Sequence, residues 1–330
     1  MIGGLNLKRR TTINLSDLNV RNQSKQTDSN NLTFDDAVKL FISDRQSRNL
    51  SEDTIKYYKQ KLSLYKRRYY EQYGSNPRRA ILRRHIDDFV TYHTITLGNK
   101  LSSAQACLRA LKAYCTFLVA EGHEKDNPFD DYTLRKPKNT VIKTFSVAQI
   151  ERLLAQPKLD TFTGLRDYTI LMTLLDTGIR IRELESINID DVHLNENYIS
   201  IFGKNGNYRN VPVSAQLKRV LHQYMKIRGY SDAEALFISS LDSRFLRRSI
   251  QDRITMYGKM ANIQDVRCSP HTFRHTFAKM YIKNGGNIFV LQDILGHSTL
   301  EMVREYVRLF SNDLYNDHKR HNPLGTIYKN

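Results

Sequence analysis

Residues 198–213 read YISIFGKNGNYRNVPV, and this stretch sets the expected fold class. Two runs that alternate in character, Tyr198–Phe202 and Tyr208–Val213, flank the dipeptide Asn205-Gly206. Because Asn-Gly favours the positive φ angles of a two-residue type I′ turn, the pattern predicts a tight β-hairpin. A further short strand fits Leu236–Ser239, while the rest of this half has the apolar spacing of helices. We therefore expect a mainly α fold with a small β-sheet, of the α+β class.

The charge balance indicates the kind of partner. The chain has 330 residues, of which 51 are basic and 34 acidic, a net charge of +17 that is spread over both halves. Neutralised phosphates release counterions, so this balance favours nucleic acid, although a basic and merely soluble protein would show it too. The sequence has no apolar run long enough for a membrane span or a signal peptide, which predicts a cytoplasmic protein without a membrane partner. Its three cysteines fit neither a disulfide framework nor a paired metal site.

Capping signals and composition divide the chain into five segments. Residues 1–31 are polar and are expected to form a flexible arm. Helical patterns that begin at the capping residue Thr33 predict a four-helix unit over 32–129. Turn residues and basic charge mark 130–143 as a linker, after which a capping box opens a larger domain over 144–312. Residues 313–330 form a mostly polar tail.

The stretch SPHTFRHTF, residues 269–277, predicts a phosphate site. Ser269 can cap a helix and Pro270 suits its first position. His271 and Arg274 would then share one face near the positive helix N-terminus. The alternative is a metal ion held by His271 and His275, but no acidic residue or cysteine is placed nearby to complete such a set.

Two further stretches place polar residues at turns. In DTGIRIREL, residues 176–184, Arg180 begins a helix, and Glu183 lies three residues on, where it can orient or neutralise an arginine. Lys204 lies in the predicted hairpin turn. Each residue also has an ordinary explanation as a solvated side chain.

A corner between two helices is predicted in LGHSTLEMVREY, residues 295–306. Gly296 suits the left-handed residue that ends a helix, and Ser298 with Glu301 forms a capping box for the next one. His297 would lie in the corner, and Tyr306 would follow within about two and a half turns. A lone Tyr306 among 19 tyrosines would merit no comment.

Taken in order, these pieces resemble the tyrosine recombinase (phage integrase) family: TGIR, GK in a hairpin, HTFRH, LGH, and a tyrosine nine residues after that histidine. The resemblance covers roughly residues 32–312. It implies a helical core-binding domain and a catalytic domain that close as a C-shaped clamp on DNA. Many members have a second hairpin lysine where this chain has Tyr208 before Arg209. The implied catalytic residues are Arg180, Lys204, His271, Arg274, His297 and the nucleophile Tyr306, with Glu183 in support.

These residue types also suit attack on a DNA phosphodiester. Two arginines can hold the non-bridging oxygens and favour the tyrosine phenolate, and the histidines can add donors or move a proton. The hairpin lysine can protonate the leaving 5′-oxygen. A tyrosyl-phosphate intermediate keeps the bond energy, so neither ATP nor a metal or other cofactor is needed. The carboxylates lie singly or in caps, which argues against a two-metal nuclease.

Two basic strips are candidate DNA contacts, and for each the alternative is a solvated polar face. The second predicted helix carries Lys56, Lys59, Arg67 and Arg68, and the helix predicted over 243–259 carries Arg244, Arg247, Arg248 and Arg253. The resemblance implies a specific double-stranded DNA site as partner and a homotetramer that joins two duplexes through a Holliday junction. The tail 313–330 can pass between protomers, and an accessory directionality factor can take part. DNA binding would bring the cytoplasmic protein to the nucleoid.

Several roles remain open. Integration, excision or transposition of a mobile element competes with Xer-type resolution of chromosome dimers, and the arm 1–31 with the C-terminal extension favours the first. A type IB topoisomerase would share the chemistry without synapsis. From another class, a DNA-binding regulator without catalysis is the alternative, against which every catalytic position is filled.

Overall fold

The computed structural model describes residues 32–133, 142–203, 206–296 and 318. The chain divides into two compact units, Met1–Asn139 and Thr140–Asn330. The arm 1–31, Lys204, His297, Tyr306, most of the expected linker and all of the tail except position 318 lie outside the described residues.

The first unit is helical throughout its described part. Its helices are α1 (Phe34–Ser47), α2 (Glu52–Tyr73), α3 (Arg83–Thr91) and α4 (Leu101–Ala120), and a π-helical turn, Tyr92–Thr96, follows α3 directly. The predicted cap at Thr33 is confirmed, since the Asp36 N–H donates to Thr33 Oγ1 at 3.2 Å, and the hydroxyl of Ser51 caps α2 in the same way. Four helices over 32–129 pack around one core in which Tyr65 and Tyr114 are fully buried.

The π-helical turn places a histidine in this core. His93 is 3% exposed, and its ring stacks on Phe89 with 5.4 Å between the ring centroids. Both ring nitrogens lack a hydrogen-bond partner among the described residues. Burial, with the nearby Arg68 and Lys61, lowers the pKa of His93, so the ring is held neutral.

The second unit is mainly helical with a small antiparallel sheet, which confirms the expected fold class. The strands are β1 (Val192–His193), β2 (Tyr198–Phe202) and β3 (Tyr208–Pro212), in the order β1-β2-β3. The helices are α5 (Val147–Leu154), α6 (Phe162–Thr177), α7 (Ile181–Ser186), α8 (Ala215–Arg228), α9 (Arg247–Met260), α10 (Pro270–Lys283) and α11 (Ile288–Leu295). Alternate residues of β2 and β3, Ile199, Ile201 and Val211, are buried in its core.

The hairpin turn differs from the prediction of a two-residue type I′ turn. The Gly203 N–H donates to the Asn207 carbonyl at 2.9 Å, so three residues separate the paired ones. The Gly206 N–H donates to the Gly203 carbonyl at 3.2 Å, and Gly206 has φ of +80°. Gly206 is therefore a left-handed residue next to the paired Asn207, and three residues rather than two connect the pair Gly203 and Asn207.

The expected short strand at Leu236–Ser239 is also wrong. This segment forms only isolated bridges, Asn188↔Ala235 and Ile238↔Arg244. The third strand is β1, whose two residues are too few to show an alternating pattern. No described helix is long and apolar enough to cross a membrane.

Candidate active site

Arg180 lies at the short connection between helices α6 and α7. Helix α6 ends at Gly178, which has φ of +60° and whose N–H donates to the Leu174 carbonyl at 3.1 Å. A Cβ on this glycine would lie 2.4 Å from Phe277 Cδ1, so the close approach of α10 requires a glycine here. Two residues later Arg180 stands at the N-cap of α7, as the sequence predicted for the start of this helix.

Glu183 orients Arg180 as expected. Its carboxylate accepts the Arg180 Nη1–H at 2.9 Å and the Arg180 backbone N–H at 2.8 Å. Burial would raise the pKa of Glu183, but hydrogen bonds from Arg209 and Arg180 and the charge of Arg209 bring it below its ordinary value. The carboxylate is therefore ionised at neutral pH and fixes Arg180 from two sides.

Arg274, on helix α10, also reaches the junction between α6 and α7. Ser269 caps this helix, since its hydroxyl accepts the Thr272 N–H at 3.3 Å, and Pro270 occupies the first turn, both as predicted. Arg274 is 6% exposed, and it donates to the carbonyls of Gly178 and Leu295, at 2.8 Å each. These two carbonyls tie α10 to the end of α6 and to the end of α11.

Arg180 and Arg274 both donate hydrogen bonds to carbonyl groups at the end of α11. Arg180 Nη1 lies 3.3 Å from the Leu295 carbonyl oxygen that also accepts from Arg274, and Arg180 Nη2 lies 3.3 Å from the Gly296 oxygen. Gly296 has φ of +62° and ends α11 as the sequence predicted. The carbonyl end of a helix attracts cations, so the two guanidinium groups are gathered at one point. His297 follows Gly296 directly in the chain and lies outside the described residues.

His271 lies one turn before Arg274 and is exposed at the start of α10. Its neighbour His275 is half-buried, and burial, followed by His271 and Arg274, lowers the pKa of His275. The first turns of α10 combine the charge of Arg274 with the positive end of the helix dipole, as an anion site requires. Phe273 is fully buried, and the half-buried Phe277 packs against the core.

Arg209 is the residue of this cluster that the sequence reasoning did not single out. From β3 it donates to both carboxylate oxygens of Glu183, at 3.1 and 2.8 Å, and through Nε to the Ile294 carbonyl at 2.9 Å. Its only sequence signal was its place in the hairpin, five residues after Lys204.

The structure thus brings together Arg180, Glu183, Arg274 and the end of α11, with His271 on the same helix as Arg274. Lys204 lies between the described residues Gly203 and Gly206, and its side chain, like those of His297 and Tyr306, lies outside the described part of the chain. Within that part, no group of three or more His, Cys, Asp or Glu side chains is arranged to hold a metal ion.

The candidate DNA contacts on α2 differ in exposure. Lys56, Lys59 and Arg67 are exposed, whereas Arg68 is half-buried and pairs with Glu71 at 2.5 Å. On α2, Arg67 lies opposite the buried Ile55, Leu62 and Tyr65, whereas Lys59, four residues after Ile55, lies beside that buried face.

The candidate contacts near α9 are more strongly tied to the protein. Helix α9 begins at Arg247 rather than at 243. Arg248 is exposed and Arg247 half-buried, while Arg244 donates to the Glu185 carbonyl and to Asn188 Oδ1, at 2.7 Å each. Arg253 does not stand on an open strip, because it pairs at 2.6 Å with the buried Asp167.

Comparison with known proteins gives matches along most of the chain. The phage integrase family model matches residues 143–313. The tyrosine recombinase XerD of Pseudomonas aeruginosa is 30% identical over 69% of this chain and 78% of its own length. The tyrosine recombinase XerC of Thermodesulfovibrio yellowstonii is 30% identical over 70% of this chain and 79% of its own.

Solved structures share the fold at low identity. The Tn1549 transposon integrase in complex with transposon right end DNA has a TM-score of 0.67 at 18% identity, over 86% of this chain and 99% of that one. A lambda integrase tetramer bound to a Holliday junction has a TM-score of 0.67 at 17% identity, over 83% of this chain and 77% of that one.

Proposed function

Since this chain belongs to the phage integrase family, we propose that it cleaves and rejoins DNA at a specific site through a 3′-phosphotyrosine at Tyr306 and a Holliday junction. It is an enzyme of the tyrosine recombinase class. The observation that carries the mechanism is the pairing of Arg180 and Arg274 at the Leu295 carbonyl, two residues before His297.

The two arginines suit the charge that develops during cleavage. When a nucleophile attacks a phosphodiester, negative charge grows on the non-bridging oxygens. Guanidinium groups remain charged at any working pH and present forked donors to such oxygens. Arg180 and Arg274 are anchored by backbone carbonyls and by Glu183, so little reorganisation is needed when the phosphate arrives.

The remaining roles follow from chemistry and chain order. The Tyr306 phenolate attacks the phosphorus, the 3′-phosphate becomes esterified to Tyr306, and the 5′-oxygen leaves with a proton from Lys204. His271 and His297 donate hydrogen bonds to the phosphate or move the phenol proton. A free 5′-hydroxyl of the partner strand then attacks the phosphotyrosine and releases Tyr306. The bond energy is kept throughout, so we propose no cofactor.

We propose double-stranded DNA as the partner and a homotetramer on two duplexes as the working assembly, with an accessory directionality factor as a further partner. The core-binding and catalytic units, 32–129 and 144–312, would each contact the duplex. Lys56, Lys59 and Arg67, exposed on α2, would contact backbone phosphates. Arg248 is also exposed and available for such a contact, whereas Arg68, Arg244 and Arg247 are half-buried and less available.

The tail 313–330 is proposed as the segment exchanged between protomers. Leu314, Leu324 and Ile327 are apolar residues in an otherwise polar stretch, as a segment that docks on a neighbour requires. Deletion of 313–330 should abolish tetramer assembly on DNA while single-site binding persists. Unchanged recombination by the deletion variant would refute the exchange.

The biological role that we propose is integration, excision or transposition of a mobile element. The fold shared with a transposon integrase and the polar arm 1–31 support it. Xer-type resolution of chromosome dimers is the second candidate, which the 30% identity to XerD favours.

Recombination between defined sites tests the proposed function and separates the two roles. A plasmid carrying the DNA that borders the gene on both sides as direct repeats would be incubated with the protein without ATP or divalent metal. We expect an excised circle with the wild type and none with Tyr306→Phe. A second plasmid would carry two copies of a chromosomal site. If a circle forms only from this second plasmid, resolution of chromosome dimers is the better description of the role. Binding without any recombination product from either substrate would contradict recombinase activity.

A further inference from the structure

Arg209 occupies the centre of the contacts around Glu183. Its side chain is 16% exposed and comes from β3, where Arg209 pairs with Ile201 of β2. Its two terminal nitrogens bind the two carboxylate oxygens of Glu183, and its Nε binds the Ile294 carbonyl. A guanidinium is the side chain that can make this forked contact and a third, sideways one at once.

Glu183 transmits this contact to Arg180. The same Oε1 atom that accepts from Arg209 Nη1 at 3.1 Å accepts from Arg180 Nη1 at 2.9 Å. The same Oε2 atom that accepts from Arg209 Nη2 at 2.8 Å accepts the Arg180 backbone N–H at 2.8 Å. Any rotation of the Glu183 carboxylate therefore moves the donors of Arg180.

The end of α11 is shaped to admit Arg209. A Cβ on Gly296 would lie 2.9 Å from Arg209 Cζ, so the guanidinium packs where a side chain would stand. Arg209 binds the Ile294 carbonyl, Arg274 that of Leu295, and Arg180 those of Leu295 and Gly296. Three arginines, from β3, from α10 and from the start of α7, thus donate to three successive carbonyls at the end of α11.

We propose that Arg209 is a positioning residue for DNA cleavage: it fixes the Glu183 carboxylate and the end of α11, and through them the Arg180 guanidinium. It also couples the hairpin that carries Lys204 to the arginine pair, since Arg209 lies on the strand that leaves this loop. Its effect on catalysis rests on the proposed function, whereas its effect on the geometry of α7 and α11 does not.

A purely structural ion pair would have a different signature. Removing such a pair lowers the stability of the unit and affects all substrates equally. Removing a residue that sets Arg180 weakens the stabilisation of phosphate charge, so the loss depends on how much charge the phosphate carries. Arg228 provides a matched control, because it is 8% exposed, lies in the same unit and likewise donates to backbone carbonyls, those of Gly229, Ala233 and Ala235.

The kinetic test uses nicked duplexes with either a normal phosphate or a neutral methylphosphonate at the scissile position. Wild type, Arg209→Lys, Arg209→Met and Arg228→Met would be compared in single-turnover cleavage. We expect both Arg209 variants to lose on the order of 100-fold on the phosphate and at least tenfold less on the methylphosphonate. Arg209→Lys keeps the charge but cannot span both oxygens of Glu183, so it should behave like Arg209→Met.

Arg228→Met should change both rates by the same factor. The proposal is overturned when Arg209→Met leaves the ratio of the two rates at its wild-type value, whatever happens to its stability.

A second readout is independent of cleavage. Backbone hydrogen exchange of the full chain would be followed in 179–186 and 291–296 for the same variants. We expect Arg209→Met to speed exchange several-fold in both segments, and Arg228→Met in neither. Faster exchange confined to β2 and β3 would overturn the positioning role. A wild type that cleaves no DNA contradicts the proposed function, whereas the exchange data still decide the role of Arg209.

Discussion

Arg180, Arg209 and Arg274 are held by one carboxylate and by carbonyl oxygens at helix ends. Glu183 offsets part of their charge, and the partial negative charge at the end of α11 orients the groups without neutralising them. The cluster is therefore both well ordered and electropositive. This combination is what binding of a phosphodiester requires, because ordered cations need little rearrangement during the reaction.

In contrast to these arginines, His93 is a buried polar residue whose ring nitrogens have no hydrogen-bond partner among the described residues. Replacing it by leucine removes an imidazole whose nitrogens find no partner in the described part of the chain, and we expect His93→Leu to stabilise the first unit by about 1 kcal/mol at neutral pH. Calorimetric unfolding of the full chain measures this change. A clear loss of stability would indicate that the ring makes a contact essential to the π-helical turn.

The same residue predicts a pH dependence. Its pKa is lowered in the folded state, so below about pH 6.5 the unfolded chain binds a proton that the folded chain refuses. The stability that depends on neutral His93 is present above that pH and is lost as the pH falls through the folded-state pKa. The wild type should lose more stability between pH 7 and 5 than His93→Leu. Equal losses would contradict the assignment.

At the scale of elements, the junction between α6 and α7 determines where Arg180 and Arg274 lie. Gly178 gives α6 its left-handed end, allows α10 to approach, and offers its carbonyl to Arg274. A change of this one residue should therefore reach the site through two elements at once.

Gly178→Ala tests this role of the junction. Its Cβ would lie 2.4 Å from Phe277 and 2.9 Å from Leu295, in addition to the strain of a positive φ. We expect a loss of about 3 kcal/mol in stability and a clear loss of DNA cleavage. Gly285→Ala is the matched control, since Gly285 has φ of +80° and open space around its Cβ, and it should cost about 1 kcal/mol. Similar losses in the two variants would show that strain alone matters.

Elements that depend on local chemistry were predictable from the sequence. The caps at Thr33, Ser146 and Ser269 involve residues three apart, so the pattern itself contains both partners. The hairpin strands were predictable, but its turn was not. The Asn-Gly pair fits more than one loop, and the pairing of Gly203 with Asn207 decided the outcome.

The candidate site was predictable only in part, for a related reason. Arg180, Glu183 and Arg274 stand in short motifs, whereas the contact of Arg209 with Glu183 spans 26 residues and that with Ile294 spans 85. No local pattern specifies such long-range contacts. The ion pair of Arg253 was not predictable for the same reason, because its partner Asp167 lies 86 residues away on α6.

At the scale of the whole molecule, the net charge of +17 is spread over two units that each have their own core. An even spread suits a protein that contacts a duplex with both units, since each phosphate contact releases counterions. The exposed basic side chains of α2, Lys56, Lys59 and Arg67, would contribute to these phosphate contacts.

Salt dependence measures that contribution. Lys56→Gln combined with Lys59→Gln should lower the slope of log affinity against log salt by about 2, from about 0.9 for each phosphate contact. The control is Lys39→Gln with Arg48→Gln on or beside α1, two exposed cations that pair with aspartates. Equal slopes for the two double variants would show that Lys56 and Lys59 do not contact DNA phosphates.

The most direct test of the central claim is covalent trapping of the protein on DNA. Wild type and Tyr306→Phe would be mixed with nicked duplexes drawn from the DNA that flanks the gene, without metal or ATP, and separated under denaturing conditions. We predict a protein–DNA adduct with the wild type alone, with the nucleotide found by mass spectrometry on Tyr306. If both proteins bind the DNA and neither forms an adduct, or if the nucleotide maps to another residue, the proposed mechanism is wrong. A DNA-binding regulator then becomes the better description of a non-reacting chain.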